Sequence, residues 1–181
     1  MATAGETGEP ELMVMGFAAA AAHMLSGGHH ERAKAVLEEL ERLGETRADP
    51  YYAAALPGLV RCALELGEPA LAARLIAGVE PRTPLQPHGL ATGLAELAEA
   101  AGDPATAATG YADAVARWRK FGDLPELASA LLGEGRCLVA LGTPGADAPL
   151  REARELLTTM GYAPASSETD TLLQRAEATA S

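Results

Sequence analysis

The chain returns four times to one short phrase, and this recurrence constrains its fold more than any single motif. An apolar run ends in Gly, and an Ala-rich pattern typical of a helix begins one or two residues later. The clearest copies are GEP, GDP and GTP at Gly67, Gly102 and Gly142, and a looser copy lies at Gly28. Glycine tolerates the left-handed conformation that ends a helix, and proline suits the first position of the next one. The sequence therefore predicts a repeated unit of helix, tight turn and helix.

The residues around these turns predict where each helix begins. We expect Asp103 and Thr143 to act as N-caps, because their side-chain oxygens can accept hydrogen bonds from free backbone N–H groups. Pro69, Pro104 and Pro144 then fall at first helical positions. The expected helices span residues 11–26, 30–43, 51–66, 69–79, 87–101, 104–120, 125–141, 147–160 and 168–178. A small residue shortly after each turn allows the paired helices to approach closely: Ala33, Ala72, Ala107, and Ala146 or Ala148.

Composition supports an all-helical fold and narrows the range of partners. Hydrophobic residues make up 48% of the chain but aromatic residues only 4%, and Ile76 is its single isoleucine. A core of Ala and Leu with few β-branched residues favours helices over strands. The formal net charge is −11. Such a charge argues against direct binding to nucleic acid or to an anionic membrane surface.

Two features of the chain indicate a cytoplasmic protein. The apolar stretch LMVMGFAAAAAHML follows Glu6, Glu9 and Glu11 without a basic residue, which is the wrong charge for an export signal. It is also too short to span a membrane. Cys62 and Cys137 lie 75 residues apart within helical patterns, which is neither a disulfide framework nor a zinc-binding spacing.

The repeated unit resembles the tetratricopeptide repeat, in which a small residue precedes the second helix and an Ala lies near its start. The turn glycines are 39, 35 and 40 residues apart, against about 34 in that family. The resemblance implies a right-handed α-solenoid of about four antiparallel helix hairpins with a C-terminal capping helix. The expected organisation is a disordered tail at 1–10, a repeat domain at 11–165 and a capping helix with tail at 166–181. The repeat units are expected at 11–44, 50–80, 87–120 and 125–161.

A narrower resemblance concerns the phrases VEPRTPLQPHGLA, YADAVARWRKFG, ALLGEGRCLVALG and LREARELLTTMGY. They resemble C-terminal repeat regions of actinobacterial regulators that carry cyclase-like or DNA-binding domains together with a STAND-type ATPase module, including LuxR-type regulators. This resemblance implies a scaffold or sensor segment of a transcriptional or signalling regulator that acts through protein–protein interaction. The alternative function is binding of a small inducer in the concave groove of the solenoid.

Motifs for catalysis or cofactor binding are weak. Nothing in the chain fits a phosphate-binding loop, and the GEG at Gly133–Gly135 falls within a helical pattern. His23, His29 and His30 with Glu31 contain metal-binding residue types, but their position at a turn favours solvated side chains. Neither cysteine has an identifiable catalytic partner. We therefore expect no enzymatic activity, no metal and no cofactor.

The family resemblance also suggests where a partner binds, because tetratricopeptide partners commonly lie in the groove lined by the first helices. The matching candidate residues are Arg61, Thr92, Glu96, Glu99, Ser129 and Arg136. Arg61 and Arg136 occupy the same slot in RCALELG and RCLVALG. Arginine can bind a carboxylate through two hydrogen bonds, so a partner or ligand that carries an acid is expected. Two alternatives are that these side chains are merely solvated, or that the two arginines pair with Glu96 and Glu99 to tie the helices together.

Overall fold

The structure, a computed structural model, describes residues 10–83 and 85–179, and the regular secondary structure of these residues is all helical. The helices are α1 (Pro10–Ser26), α2 (His30–Arg42), α3 (Pro50–Glu65), α4 (Pro69–Ile76), α5 (Gln86–Ala100), α6 (Pro104–Phe121), α7 (Leu124–Ala140), α8 (Asp147–Met160) and α9 (Ala163–Thr179). A short 3-10 helix, Gly44–Ala48, precedes α3. The chain forms two compact units, Met1–Leu90 and Ala91–Ser181. The tail predicted at 1–10 lies outside the described residues except for Pro10.

The predicted turn chemistry is confirmed at most of the repeated phrases. Gly28, Gly67, Gly102 and Gly142 all adopt positive φ, between 61° and 77°. Pro69 and Pro104 are the first residues of α4 and α6. The side chain of Asp103 caps α6, accepting a hydrogen bond from the backbone N–H of Thr106 at 3.1 Å. These local signals specify where the helices end and begin because they depend only on neighbouring residues.

The predicted range 147–160 matches α8, but the cap expected before it and the start of the last helix are wrong. Thr143 and Pro144 do not begin α8, which starts at Asp147 after a second left-handed glycine, Gly145 at φ 99°. The helix expected at 168–178 begins earlier, because α9 starts at Ala163 and Ser167 lies inside it. Gly161 ends α8 in the left-handed conformation, so the next helix starts two residues later. In both places a neighbouring glycine, rather than the capping side chain, determines the boundary.

The first unit is built around α3, which contacts α1, α2 and α4. Tyr52 is fully buried, and its hydroxyl donates a hydrogen bond to the carbonyl oxygen of Leu75 on α4 at 2.9 Å. Ala33 and Ala72, two of the predicted small residues, are completely buried. Ala107 is equally buried in the second unit, and Ala146 rather than Ala148 is the buried residue after the fourth turn. Small side chains at these positions therefore allow close packing, as predicted.

Proline within α3 creates a backbone feature that α5 covers. α3 runs from Pro50 to Glu65 with Pro57 inside it. Proline has no N–H, so the carbonyl of Ala53 loses its ordinary helical donor. Gly89 of α5 is buried directly against this carbonyl: an added Cβ would clash with the Ala53 oxygen and lie 3.6 Å from Cδ of Pro57. A glycine at position 89 thus brings its Cα–H group to the carbonyl that the proline leaves without a donor.

The second unit is centred on α7, which contacts α6, α8 and α9. Two buried glycines of α7 allow α6 and α8 to pack closely against it on different sides. A Cβ at Gly133 would lie 2.5 Å from ring carbon Cε1 of Tyr111 on α6, and one at Gly135 would lie 2.5 Å from Cγ of Leu150 on α8. Real Cβ atoms do not approach other atoms so closely, so the neighbouring helices pack directly on the glycine backbone.

We expect Gly89→Ala to lower the free energy of unfolding by at least about 2 kcal/mol, because the new methyl group overlaps a backbone carbonyl that cannot move aside. Gly16→Ala is the matched control: it lies in α1, and nothing approaches within 4 Å of its added Cβ. In a helix interior that change is expected to stabilise by about 0.5–1 kcal/mol. Urea unfolding followed by circular dichroism measures both. A Gly89→Ala protein as stable as the wild type would contradict the packing described here.

Candidate partner-binding surface

The most prominent polar contact in the second unit is an ion pair between Glu99 on α5 and Arg136 on α7. Nε of Arg136 donates to Oε1 of Glu99 at 2.7 Å, and Nη2 donates to Oε2 at 3.0 Å. The side chains are only 26% and 35% exposed, respectively. Two parallel hydrogen bonds hold the guanidinium group in one orientation. The pairing that the sequence left open for these two residues is therefore present.

Two further side chains extend this ion pair into a network. The Tyr111 hydroxyl on α6 donates to Oε2 of Glu99 at 2.6 Å. On the other side, Nη1 of Arg136 donates to Oε1 of Glu168 on α9 at 3.0 Å, and the Glu168 side chain is 42% exposed. The network joins α5, α6, α7 and α9. It is buried at Tyr111 and opens to solvent at Glu168.

The network favours the charged forms of both members of the ion pair. Burial alone raises the pKa of Glu99, but the hydrogen bonds and charge of Arg136, together with the Tyr111 hydroxyl, outweigh it and lower this pKa below its ordinary value. Burial and the neighbouring Glu99 carboxylate raise the pKa of Tyr111. Burial, then Glu99, raises the pKa of the adjacent Cys137 thiol to about 11. Glu99 thus remains a carboxylate and Cys137 a protonated thiol at neutral pH, and a protonated thiol is a poor nucleophile.

Two predicted groove residues have little or no exposed surface. Thr92 of α5 is completely buried, and its hydroxyl oxygen accepts a hydrogen bond from Nε1 of Trp118 on α6 at 2.7 Å. Glu96 is 6% exposed. A buried residue cannot present its side chain to a partner without rearrangement. We therefore assign Thr92 a structural contact between α5 and α6 and leave both residues out of the surface proposed below.

The remaining candidates divide between the two units. Ser129 lies half-buried on α7, seven residues before Arg136 and so on the same side of the helix. Its hydroxyl donates to the carbonyl oxygen of Pro125 at 3.1 Å. Arg61 belongs to α3 of the first unit, where it is half-buried. The second unit therefore brings together Glu99 and Arg136, with Ser129 on the same side of α7.

Sequence reasoning missed Tyr111 and Glu168 as members of this site. Tyr111 lies in the predicted helix 104–120, and Glu168 lies in the segment expected to form the capping helix. Their roles depend on contacts made 12 and 32 residues away along the chain. One usable signal is Gly133, because a glycine inside a helix marks the close approach of a neighbouring element.

The part of the chain that the structure describes gives no support for a metal site or a membrane-spanning helix. Its His, Cys, Asp and Glu side chains form no group of three or more that could hold a metal ion. Both cysteines are free thiols. None of the described helices has the length and apolar character needed to cross a membrane. Comparison with protein-family models, with curated proteins and with solved structures finds no match to this chain.

We expect Glu99→Gln to destabilise the protein by about 1.5–3 kcal/mol at pH 7, because it removes charge-assisted hydrogen bonds at a partly buried site. The pKa of Glu99 is lower in the folded state than its ordinary value of 4.5. Its contribution is therefore present above pH 4.5 and is lost as the pH falls through the folded-state pKa. The difference between wild type and variant should shrink in that acidic range.

Chemical denaturation at pH 7 and at steps below pH 4.5 measures this difference. Asp113→Asn is the control, since Asp113 forms an exposed ion pair with Arg117 at 2.7 Å. Such a surface pair contributes about 0–1 kcal/mol. Equal effects of the two substitutions would show that the Glu99 network does not stabilise the second unit.

Thr92→Val should cost about 1–3 kcal/mol, because it keeps the shape of the side chain but removes the acceptor for the buried Trp118 N–H. Thr109→Val on α6 is matched to it, since that exposed hydroxyl donates only to the Ala105 carbonyl within its own helix. Its effect should stay within about 0.5 kcal/mol. Thermal and urea unfolding compare the two. Unchanged stability in Thr92→Val would remove the structural role assigned to this residue.

Proposed function

We propose that this chain is a non-catalytic helical-repeat module that binds a protein or peptide partner. This proposal rests mainly on the network of Glu99, Arg136 and Glu168, which places charged side chains from α5, α7 and α9 on one face of the second unit. We call this the Arg136 face and include Ser129 in it. A preorganised guanidinium group beside partly exposed carboxylates is suited to specific recognition of a polar partner.

The wider arrangement that we propose is a right-handed solenoid of tetratricopeptide-like hairpins. Its support is the repeated chemistry: four turn glycines with positive φ and a buried Ala following each turn. In this arrangement α9 is the capping helix, with Leu172 and Leu173 buried and Asp170 exposed on its polar side. Stacked repeats need such a cap because the last apolar face has no further repeat to cover it.

An acidic group on the partner fits the Arg136 face. Glu99 is the more deeply buried of the two carboxylates and holds two guanidinium nitrogens, whereas Glu168 is more exposed and holds only Nη1. A partner carboxylate would therefore exchange with Glu168 rather than with Glu99. Arg61 remains a candidate contact in the first unit, as the counterpart of Arg136 in the RCALELG copy of the repeat.

The cellular role follows from the sequence resemblance. We propose a cytoplasmic scaffold or sensor segment of a bacterial transcriptional or signalling regulator. Its partner would be another protein or another domain of a parent regulator. The acidic composition, with a net charge of −11, favours this role over direct contact with nucleic acid or with a membrane.

Ser129→Arg tests this proposal without breaking the ion pair. The new side chain would crowd the Arg136 face, and we expect it to weaken partner binding about tenfold or more. Thr159→Arg on α8 is a closely matched control. Thr159 also has a hydroxyl that donates to the carbonyl four residues earlier, at 2.8 Å, but α8 contributes no side chain to the Arg136 face.

Affinity capture from lysate with wild type and both variants, quantified by mass spectrometry, should show a partner that only Ser129→Arg loses. The melting temperatures of both variants should remain close to that of the wild type. Equal capture by all three proteins would contradict the assignment of this face. A small metabolite that raises the melting temperature of wild type but not of Ser129→Arg, with no captured protein, would instead favour the alternative function of inducer binding.

A further inference from the structure

The sequence Gly133–Glu134–Gly135 on α7 gives Glu134 an unusual position. Successive residues of an α-helix point about 100° apart. Gly133 faces Tyr111 of α6, and Gly135 faces Leu150 of α8. Glu134 therefore points midway between these directions, toward the gap between α6 and α8. Arg136 lies two residues further, about 200° around the helix, so Glu134 lies away from the Arg136 face.

A pocket of about 350 Å³ occupies this gap. Its accessible apolar walls are Ala112 and Ala116 from α6 and Ala148 and Pro149 from α8. The three alanines are exposed and Pro149 is half-buried, whereas Val115 and Leu131, which also line the pocket, are buried and offer little surface to a ligand. Such walls favour a ligand with an apolar body, because each methylene group that leaves water contributes about 0.8 kcal/mol.

The pocket contains two carboxylates, of which Glu152 forms an ion pair with Arg119 and Glu134 does not. Nη2 of Arg119 on α6 donates to both carboxylate oxygens of Glu152 on α8, at 2.8 and 2.7 Å. Glu134 forms no ion pair within the described chain, and its side chain is half-buried. Burial raises the pKa of Glu134; the charge of Arg119 opposes this shift without outweighing it, and the Glu152 carboxylate adds to it. Two carboxylates and one guanidinium leave the pocket with a net charge of about −1 at neutral pH.

We propose that this pocket, named here the Glu134 pocket, binds an alkylammonium group. The ammonium ion contacts the Glu134 carboxylate, and its hydrocarbon chain lies against Ala116, Ala148 and Pro149. The ligand is either a small free amine or a lysine side chain of another polypeptide, since the two share this chemistry. A monocation neutralises the net charge of the pocket and forms with Glu134 the ion pair that Arg119, which is bonded to Glu152, does not form. This site is independent of the function proposed for the Arg136 face.

The test is an NMR titration of the full chain with n-butylammonium chloride at constant ionic strength. Sodium butyrate, which has the opposite charge, serves as the control probe. We expect saturable amide shifts centred on Glu134, Ala116 and Ala148 with the ammonium ion and none with butyrate. The capped peptide acetyl-Gly-Lys-Gly-amide forms the second arm. Tighter binding of the peptide identifies a lysine side chain as the ligand, and tighter binding of butylammonium identifies a free amine.

Three variants decide the assignment. Glu134→Gln removes the charge but keeps the shape, and Ala116→Met fills the pocket without changing any charge; each should weaken binding about tenfold or more. Glu155→Gln, which changes an exposed glutamate elsewhere on α8, should bind as the wild type does. Helix content by circular dichroism verifies that each variant is folded.

Absence of saturable shifts in the wild type would overturn the proposal. So would equal affinity in Glu134→Gln, or an equal loss of affinity in Glu155→Gln, because either result would indicate non-specific attraction to an acidic surface. If Glu134→Gln weakens binding but Ala116→Met does not, the apolar part of the proposal is wrong, and the pocket does not select an alkyl chain.

Discussion

Direct packing of neighbouring helices on the glycine backbone of α7 underlies the organisation of the second unit. Gly133 and Gly135 remove side-chain volume on two sides of one helix, so the Tyr111 ring and Leu150 occupy space that any Cβ would take. The cost is lower intrinsic helix stability, about 1 kcal/mol for each glycine relative to alanine. Burial of a large aromatic ring and a leucine offsets this cost, because such side chains contribute about 1.5–3 kcal/mol each when fully buried.

The polar chemistry of the unit follows from this packing. With its ring against Gly133, Tyr111 brings its hydroxyl within 2.6 Å of Glu99. The hydroxyl and Arg136 together satisfy the Glu99 carboxylate at a place where an isolated charge would be costly. Between the same glycines, Glu134 receives no such partner among the described side chains. Burial raises the pKa of both glutamates. The hydrogen-bonded Arg136 outweighs burial at Glu99, whereas the charge of Arg119 does not outweigh it at Glu134, so the two pKa values shift in opposite directions.

The first unit also contains a helical glycine that allows close packing, here against a helix that contains a proline. Pro57 deprives the Ala53 carbonyl of its helical donor, and Gly89 of α5 lies directly against that carbonyl. Any side chain at position 89 would block the approach. In both units, glycines inside helices therefore let a neighbouring helix pack directly on their backbone, whereas the turn glycines end helices. The two kinds of glycine are identical in sequence and differ in what lies next to them.

The sequence by itself determined the all-helical class, most helix boundaries, the left-handed turn glycines and the buried alanines, because each depends on residues close together in the chain. It failed in assigning Thr143 as the cap of α8 and at the start of α9, which begins at Ala163, just after Gly161, rather than at residue 168. It offered the pairing of Arg136 with Glu99 only as one alternative. Only the tertiary structure brought Tyr111 and Glu168 into the Arg136 network, placed Glu134 in its pocket and buried Thr92. Hydrogen bonds and pockets between helices depend on which helix faces pack together. Helical periodicity does not specify the neighbour that each face meets.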